Sequence, residues 1–123
     1  MSIRRFVLVG FAAVSLWAAA DPSVAQAKKL VAEKKYDEAI AALEKAEKAH
    51  PKAADVQKGL ADTYLAQADS MMKDAALPPR VKYRGALKAY RKVLQYDKSN
   101  KHAQEGVSTI EGVYKSMGMP IPQ

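Results

Sequence analysis

A stretch of the chain returns 47 residues further on, and this internal repeat is the feature that most restricts the fold. Residues 36–51 read YDEAIAALEKAEKAHP, and residues 83–98 read YRGALKAYRKVLQYDK. The same offset aligns residues of like kind at several positions: Ala39 with Ala86, Leu43 with Tyr90, Gln57 with Gln104, and Gly59 with Gly106. A repeat on this scale is typical of a helical solenoid, in which each unit is one supersecondary element.

Composition favours helices as the repeated element. The chain has 123 residues and is rich in alanine, leucine and lysine, whereas aromatic residues make up only 7% and there are six glycines. The first group comprises good helix formers. There is no cysteine, which excludes disulfides, thiolate metal sites and a lipid-anchoring cysteine. These counts predict an all-α protein.

The N-terminal segment has the pattern of a secretory signal peptide. The pair Arg4–Arg5 is followed by the uncharged apolar run Phe6–Ala20. Further on, Ala25-Gln26-Ala27 fits the small-x-small rule for signal peptidase. We therefore expect a signal peptide over residues 1–27, with cleavage after Ala27 or, alternatively, after Ala25. This predicts export to a bacterial periplasm or secretion.

The alternative is that the apolar run is retained as an anchor in the inner membrane. A spanning helix needs about 20 apolar residues, and Phe6–Ala20 supplies 15. The run is short for an anchor, so cleavage is the leading interpretation.

Apolar residues at three- and four-residue spacing predict a helical domain over residues 28–117 and an extended tail over residues 118–123. Prolines, glycine and polar turn residues divide it. The expected helices are a short one from Lys28, then about Asp37–Ala49, Ala54–Leu77, Arg80–Tyr96 and Lys101–Ser116. The Leu77-Pro78-Pro79 sequence ends the third helix, because the residue before a proline avoids the α region.

At these residues the chain resembles the tetratricopeptide repeat family. Small and large residues recur at its spacing: Ala39, Leu43, Ala46 and Pro51; Leu60, Ala61 and Tyr64; Ala86, Tyr90 and Val93. The resemblance implies a short right-handed solenoid of about two helix-turn-helix units plus a C-terminal capping helix. The family repeats every 34 residues or so, so the surplus of about 13 residues between Tyr64 and Tyr83 predicts a lengthened third helix and a loop. An ordinary helical bundle with alanine-rich seams is the alternative.

The resemblance also implies a function. Members of this family hold extended peptides in a concave groove lined by first helices. By position, the groove residues here are Asp55, Lys58, Asp62, Leu65, His102, Glu105 and Thr109. Some relatives clamp a terminal carboxylate with a lysine and asparagines. Lys58 matches that lysine, but Gly59 and Asp62 replace the asparagines, so this clamp is not expected. The resemblance therefore implies a protein or peptide partner. Self-association is a further possibility, because two units are near the lower limit for stability.

The fourth helix carries a second candidate surface. Its basic residues are Arg80, Lys82, Arg84, Lys88, Arg91 and Lys92, and no acidic residue occurs from Ala75 to Tyr96. This set could bind anionic lipid, a cell-wall polymer or an acidic protein, or it could be a solvated outer face. The export signal disfavours nucleic acid. The set gives an alternative function, a membrane-tethered scaffold whose basic helix contacts anionic envelope components.

Catalytic signals are missing from the sequence. His50 and His102 are isolated at helix boundaries, and there is no metal-ligand spacing, nucleophile elbow, phosphate loop or dinucleotide motif. We therefore expect a binding scaffold with no cofactor and no catalytic activity. An accessory domain of an enzyme complex is the weaker alternative.

Overall fold

The computed structural model describes residues 21–123 as five helices. Residues 1–20, which include most of the predicted signal peptide, lie outside the described residues. The helices are α1 (Pro22–Ala32), α2 (Tyr36–Ala49), α3 (Ala54–Lys73), α4 (Pro79–Tyr96) and α5 (Lys101–Ser116). No strand occurs in this part of the chain, so the predicted all-α class is confirmed.

The helices stack in chain order. α1 packs on α2, α2 on α3, α3 on α4, and α4 on α5, while α1 also contacts α3. The first helices of the two pairs therefore lie side by side. Two helix-turn-helix units followed by one capping helix make a tetratricopeptide-like solenoid, as the sequence predicts.

The first helix begins earlier than expected. α1 starts at Pro22, whose fixed φ and missing amide hydrogen suit the first helical position. The Asp21 carboxylate caps it by accepting from the Ser23 amide at 2.9 Å and from the Ser23 hydroxyl at 2.6 Å. Both hydrogen bonds hold the pKa of the Asp21 carboxyl below its usual value, and the bond from the Ser23 hydroxyl has the larger effect. The prediction of a short helix from Lys28 is wrong, because Asp-Pro-Ser is a helix start that the signal-peptide interpretation treats as a cleavage region.

The two units have the same packing contact at equivalent places. A Cβ added at Gly59 of α3 would lie 3.2 Å from the Leu43 side chain of α2. A Cβ at Gly106 of α5 would lie only 2.6 Å from the Tyr90 ring of α4. Leu43 is 0% exposed and Tyr90 4%, so each large side chain is buried beneath the glycine of the next helix. The offset of 47 residues thus corresponds to a repeated contact in space.

The turn before each of these helices is also repeated. The Gln57 side-chain amide donates to the Pro51 carbonyl at 2.9 Å, and that of Gln104 donates to the Lys98 carbonyl at 2.8 Å. Both bonds satisfy a turn carbonyl just before the helix. Pro51 and Lys98 occupy the same place in the repeat, so the turn keeps its shape although the second unit lacks the proline.

The extra residues of the second unit lie in α3 and in the loop after it. α3 is 20 residues long and ends at Lys73. Its predicted continuation to Leu77 is wrong, because the Asp74 carboxylate accepts from the Ala76 amide at 2.9 Å and this local bond competes with the helical pattern. Ala75, which the predicted helix would have included, is exposed in the loop.

Two tyrosines, Tyr64 of α3 and Tyr96 of α4, link their helices to α2 by hydrogen bonds. The rings of Tyr64 and Tyr96 stack with centroids 6.4 Å apart. The Tyr64 hydroxyl donates to Glu44 and the Tyr96 hydroxyl to Glu47, each at 3.2 Å. Burial and the Glu44 carboxylate raise the pKa of Tyr64 to about 12, and burial with Glu47 raises that of Tyr96.

The C-terminal tail folds back on the helices. Gly118 has a φ of 65°, a left-handed conformation that turns the chain after α5. In the tail after Gly118, Ile121 packs against the core, and the Pro122 carbonyl accepts a hydrogen bond from the Arg91 guanidinium of α4 at 2.7 Å. The tail contains no helix or strand, and it contacts the domain.

The two glycines of α5 give a matched test of the repeated contact. We expect Gly106→Ala to lower the free energy of unfolding by about 1–3 kcal/mol, because the added Cβ overpacks the site against Tyr90. Gly112→Ala is the control: nothing lies within 4 Å of its Cβ position, so the gain in helix propensity should stabilise by about 0.5–1 kcal/mol. Urea unfolding followed by circular dichroism measures both. Two effects of the same sign would contradict the packing described for Tyr90.

The raised tyrosine pKa predicts a loss of stability in alkali. Folding raises the pKa of Tyr64 from its usual value of 10.0 to about 12, so the stabilisation is complete below about pH 10 and disappears as the pH rises through about 12. We expect Tyr64→Phe to make the free energy of unfolding less dependent on pH over this window. Tyr36→Phe is the control, because it removes the same hydroxyl from a tyrosine that lies outside the core cluster. An unchanged slope in Tyr64→Phe would refute the assignment.

Candidate functional site

A groove lies between α1 and α3, the first helices of the two units. It encloses about 360 Å³. Both helices supply its lining: Val24, Ala27, Lys28 and Val31 from α1, and Asp55, Lys58, Gly59, Asp62 and Thr63 from α3. We call this the α1–α3 groove.

The floor of the α1–α3 groove is apolar. Val24, Ala27 and Val31 follow one another at three- and four-residue spacing, so they face the same side of α1. Ala27 is 2% exposed and Thr63 is 3% exposed. The Thr63 hydroxyl donates to the Gly59 carbonyl at 2.7 Å, so its polar group is satisfied within α3. A ligand in this groove would meet mainly carbon atoms.

The rim of the groove carries both signs of charge. The Lys58 ammonium lies 3.0 Å from the Asp62 carboxylate one turn along α3. These side chains are 77% and 58% exposed, so the pair contributes little to stability and can be separated easily. Lys28, on the opposite wall, has no carboxylate within 4 Å among residues 21–123. The rim can therefore offer a cation to an acidic group without breaking the fold.

Asp55 has a structural role at one end of the groove. One of its oxygens accepts from the Asp21 amide at 2.8 Å, and the other accepts from the Val56 amide at 3.0 Å. The first bond joins the start of α1 to the start of α3. Asp55 therefore positions the two walls and is largely occupied before any ligand arrives.

The structure brings together some of the predicted groove residues and separates others. Asp55, Lys58 and Asp62 line the α1–α3 groove. Leu65 is partly buried and packs against the core. The other predicted residues are exposed on α5, outside the groove lining: His102, Glu105 and Thr109.

Asp69 joins three helices near the predicted α5 residues. The Tyr90 hydroxyl of α4 donates to Asp69 at 2.6 Å, and His102 Nε2 of α5 lies 2.7 Å from the same carboxylate oxygen. Burial and this hydrogen bond raise the pKa of Tyr90 well above its usual value. The cluster connects the capping helix to α3. Asp69 follows Asp62 by seven residues on one helix face, a signal from which it could have been found.

The α1 wall is the part that sequence reasoning missed. The signal-peptide interpretation extends to residue 27, which leaves Val24 and Ala27 outside the folded domain. The spacing of Val24, Ala27 and Val31 after the Asp21 cap is the signal that identifies this wall.

The basic residues of α4 do not share one environment. Arg91 lies 3.7 Å from Glu111 and binds the tail. Lys88 and Lys92 line a second cavity of about 470 Å³ between α2 and α4, with Asp37 and Glu44 among its other lining residues.

Two basic residues at the start of α4 are exposed and lie away from the carboxylates of residues 21–123. Arg80 and Arg84 are exposed, and no carboxylate lies within 4 Å of either among residues 21–123. Lys82 is half-buried. The exposed series therefore starts at Arg80 and runs by four-residue steps through Arg84 to Lys88.

Residues 21–123 contain no group of three or more His, Cys, Asp or Glu side chains placed to hold a metal ion. The helices of this range include none with the length and apolar character needed to cross a membrane.

Comparison with protein families supports the fold. Residues 30–70 match the family model described as the tetratricopeptide repeat. The match begins near the end of α1, includes α2 and extends through most of α3. No curated protein and no solved structure matches the chain. Tetratricopeptide repeats generally mediate protein–protein contacts, so this similarity indicates the class of an interaction scaffold.

Proposed function

We propose that the protein is an exported scaffold that holds a segment of another protein in the α1–α3 groove, with no catalysis. The observation that carries the proposal is the apolar groove between the first helices of consecutive units, edged by exposed charges. Its volume of about 360 Å³ is within the range of small ligand sites. The tetratricopeptide match at residues 30–70 supports the same class.

The groove favours an apolar anchor in the bound segment. Its floor offers Val24, Ala27 and Val31, which would bury one or two apolar side chains of the partner. The carboxylate clamp of some relatives is disfavoured, since Asp62 lies 3.0 Å from the Lys58 ammonium and would repel a terminal carboxylate. Lys28 is better placed for an acidic side chain beside the anchor.

Export is the second part of the proposal. The support is the sequence of residues 1–20, in which Arg4–Arg5 precede the apolar run that ends at Ala20. The expected location is a bacterial periplasm or the medium.

An alternative function is favoured by the exposed series on α4. Arg80, Arg84 and Lys88 are exposed at four-residue spacing on one face. In this alternative the N-terminal run is retained in the inner membrane and the basic face contacts an anionic envelope surface.

Charge reversal on the rim tests the groove. Peptides selected from a displayed random library on the purified protein should bind Lys28→Glu/Lys58→Glu at least about tenfold more weakly, which is about 1.4 kcal/mol. Lys45→Glu/Lys48→Glu is the matched control, because it makes the same charge change at exposed positions of α2. Fluorescence anisotropy measures the affinities.

The same peptides should shift the backbone amide resonances of α1 and α3. Equal loss of binding in the groove variant and in the α2 control, or shifts confined to other helices, would reject the groove as the binding site.

Vesicle binding tests the alternative. If α4 contacts an anionic surface, the protein should sediment with phosphatidylglycerol vesicles and not with phosphatidylcholine vesicles. Arg80→Ala/Arg84→Ala should then weaken binding about tenfold or more, at about 1 kcal/mol per basic side chain, while Lys45→Ala/Lys48→Ala should have less effect. Absence of binding at low salt would remove this alternative.

A further inference from the structure

The packing of α1 bears on where an exported chain would be cut. A cut after Ala27 would remove Asp21–Ala27, which is the cap and the first half of α1. The lost residues include Val24 of the groove floor and Ala27, which is 2% exposed. It would also remove the amide that donates to Asp55. A chain cut there would lack two of the four residues with which α1 lines the α1–α3 groove.

We propose that the processing site is the bond between Ala20 and Asp21, so that the mature chain begins at the cap of α1. The proposal rests on the export described above. Ala18-Ala19-Ala20 places small residues at the first and third positions before the bond. Phe6–Trp17 remains as the apolar run, within the usual length of about 7–15 residues.

Backbone geometry agrees with this position. Asp21 has φ −59° and ψ 130°, outside the helix, because a residue before proline avoids the α region. Ala25 and Ala27 lie inside α1. A cut before Asp21 therefore leaves the whole of α1 and its cap in the mature chain, whereas a cut after Ala25 or Ala27 falls inside the helix.

The cut creates a positive charge next to the Asp55 carboxylate. Hydrolysis adds one water across the bond: Ala20 leaves as a carboxylate, and Asp21 gains a protonated α-amino group. The Asp21 nitrogen lies 2.8 Å from an Asp55 oxygen. The hydrogen bond that the uncharged amide donates in the precursor thus becomes an ion pair between an ammonium and a carboxylate, with Coulomb attraction added to the hydrogen bond. The positive charge opposes the α1 dipole, and the capping carboxylate of Asp21 offsets this.

N-terminal sequencing and intact mass of the exported full-length product test the site. The first residue should be Asp21. Ala20→Leu places a large residue before the bond and should abolish this product. Ala25→Leu is the matched control. Ala25 is the last residue before a cut after Ala25 and the third residue before a cut after Ala27, and signal peptidase requires a small residue at both positions. Ala25 is exposed on α1, so processing after Ala20 should be as in the wild type.

Each other outcome overturns the proposal. A product that begins at Gln26 or Lys28, or loss of processing in Ala25→Leu, would place the cut inside α1. A product that begins at Met1 or Ser2 would overturn both the cut and export, while the peptide-binding test of the groove remains independent of this result.

The docking of the new ammonium has its own test. A glycine inserted between Ala20 and Asp21 leaves Ala20 before the bond and moves the ammonium one residue away from Asp55. The processed variant should melt about 4 °C or more below the processed wild type. Equal melting temperatures would show that the ammonium does not bind Asp55.

Discussion

The fold depends on the close approach of successive helices over a buried side chain. Leu43 lies beneath Gly59, and Tyr90 lies beneath Gly106. In a solenoid each unit buries its apolar face only against its neighbours, so these contacts decide whether the units stack at all. They also set the spacing at which first helices lie side by side. The α1–α3 groove exists because Gly59 lets α3 settle on α2 while α1 is held against both.

The later part of the chain could be predicted closely from its residues. α5 has the predicted bounds, and α4 begins one residue before its predicted start. Strong periodicity placed Ala86 and Tyr90 in the core, and both are buried. The Asn100 side chain accepts from the Ala103 amide at 2.9 Å and so caps the start of α5, where asparagine is a preferred residue. Where period, caps and turn residues agree, one structure is favoured.

The parts that could not be predicted have two physical causes. Residues 21–27 satisfy two patterns at once, a helix start and a cleavage region, and local sequence does not distinguish them. The start of α1 depends on a contact of Asp21 with Asp55, 34 residues away, which no local pattern shows. The end of α3 and the Asp69 cluster depend on individual hydrogen bonds. Periodicity shows which face a residue occupies, but it does not show that Asp69 will meet both Tyr90 and His102.

The stacked tyrosines change how such an array behaves as a whole. In an ideal array each element contacts only its neighbours, so the ends can fray one at a time. Here the Tyr96 hydroxyl reaches Glu47, so α4 holds α2 directly and bypasses α3. Separation of α4 from α3 therefore leaves a second bond, between the second helices of the two units, still to be broken. This bond couples the unfolding of α4 to that of the first unit.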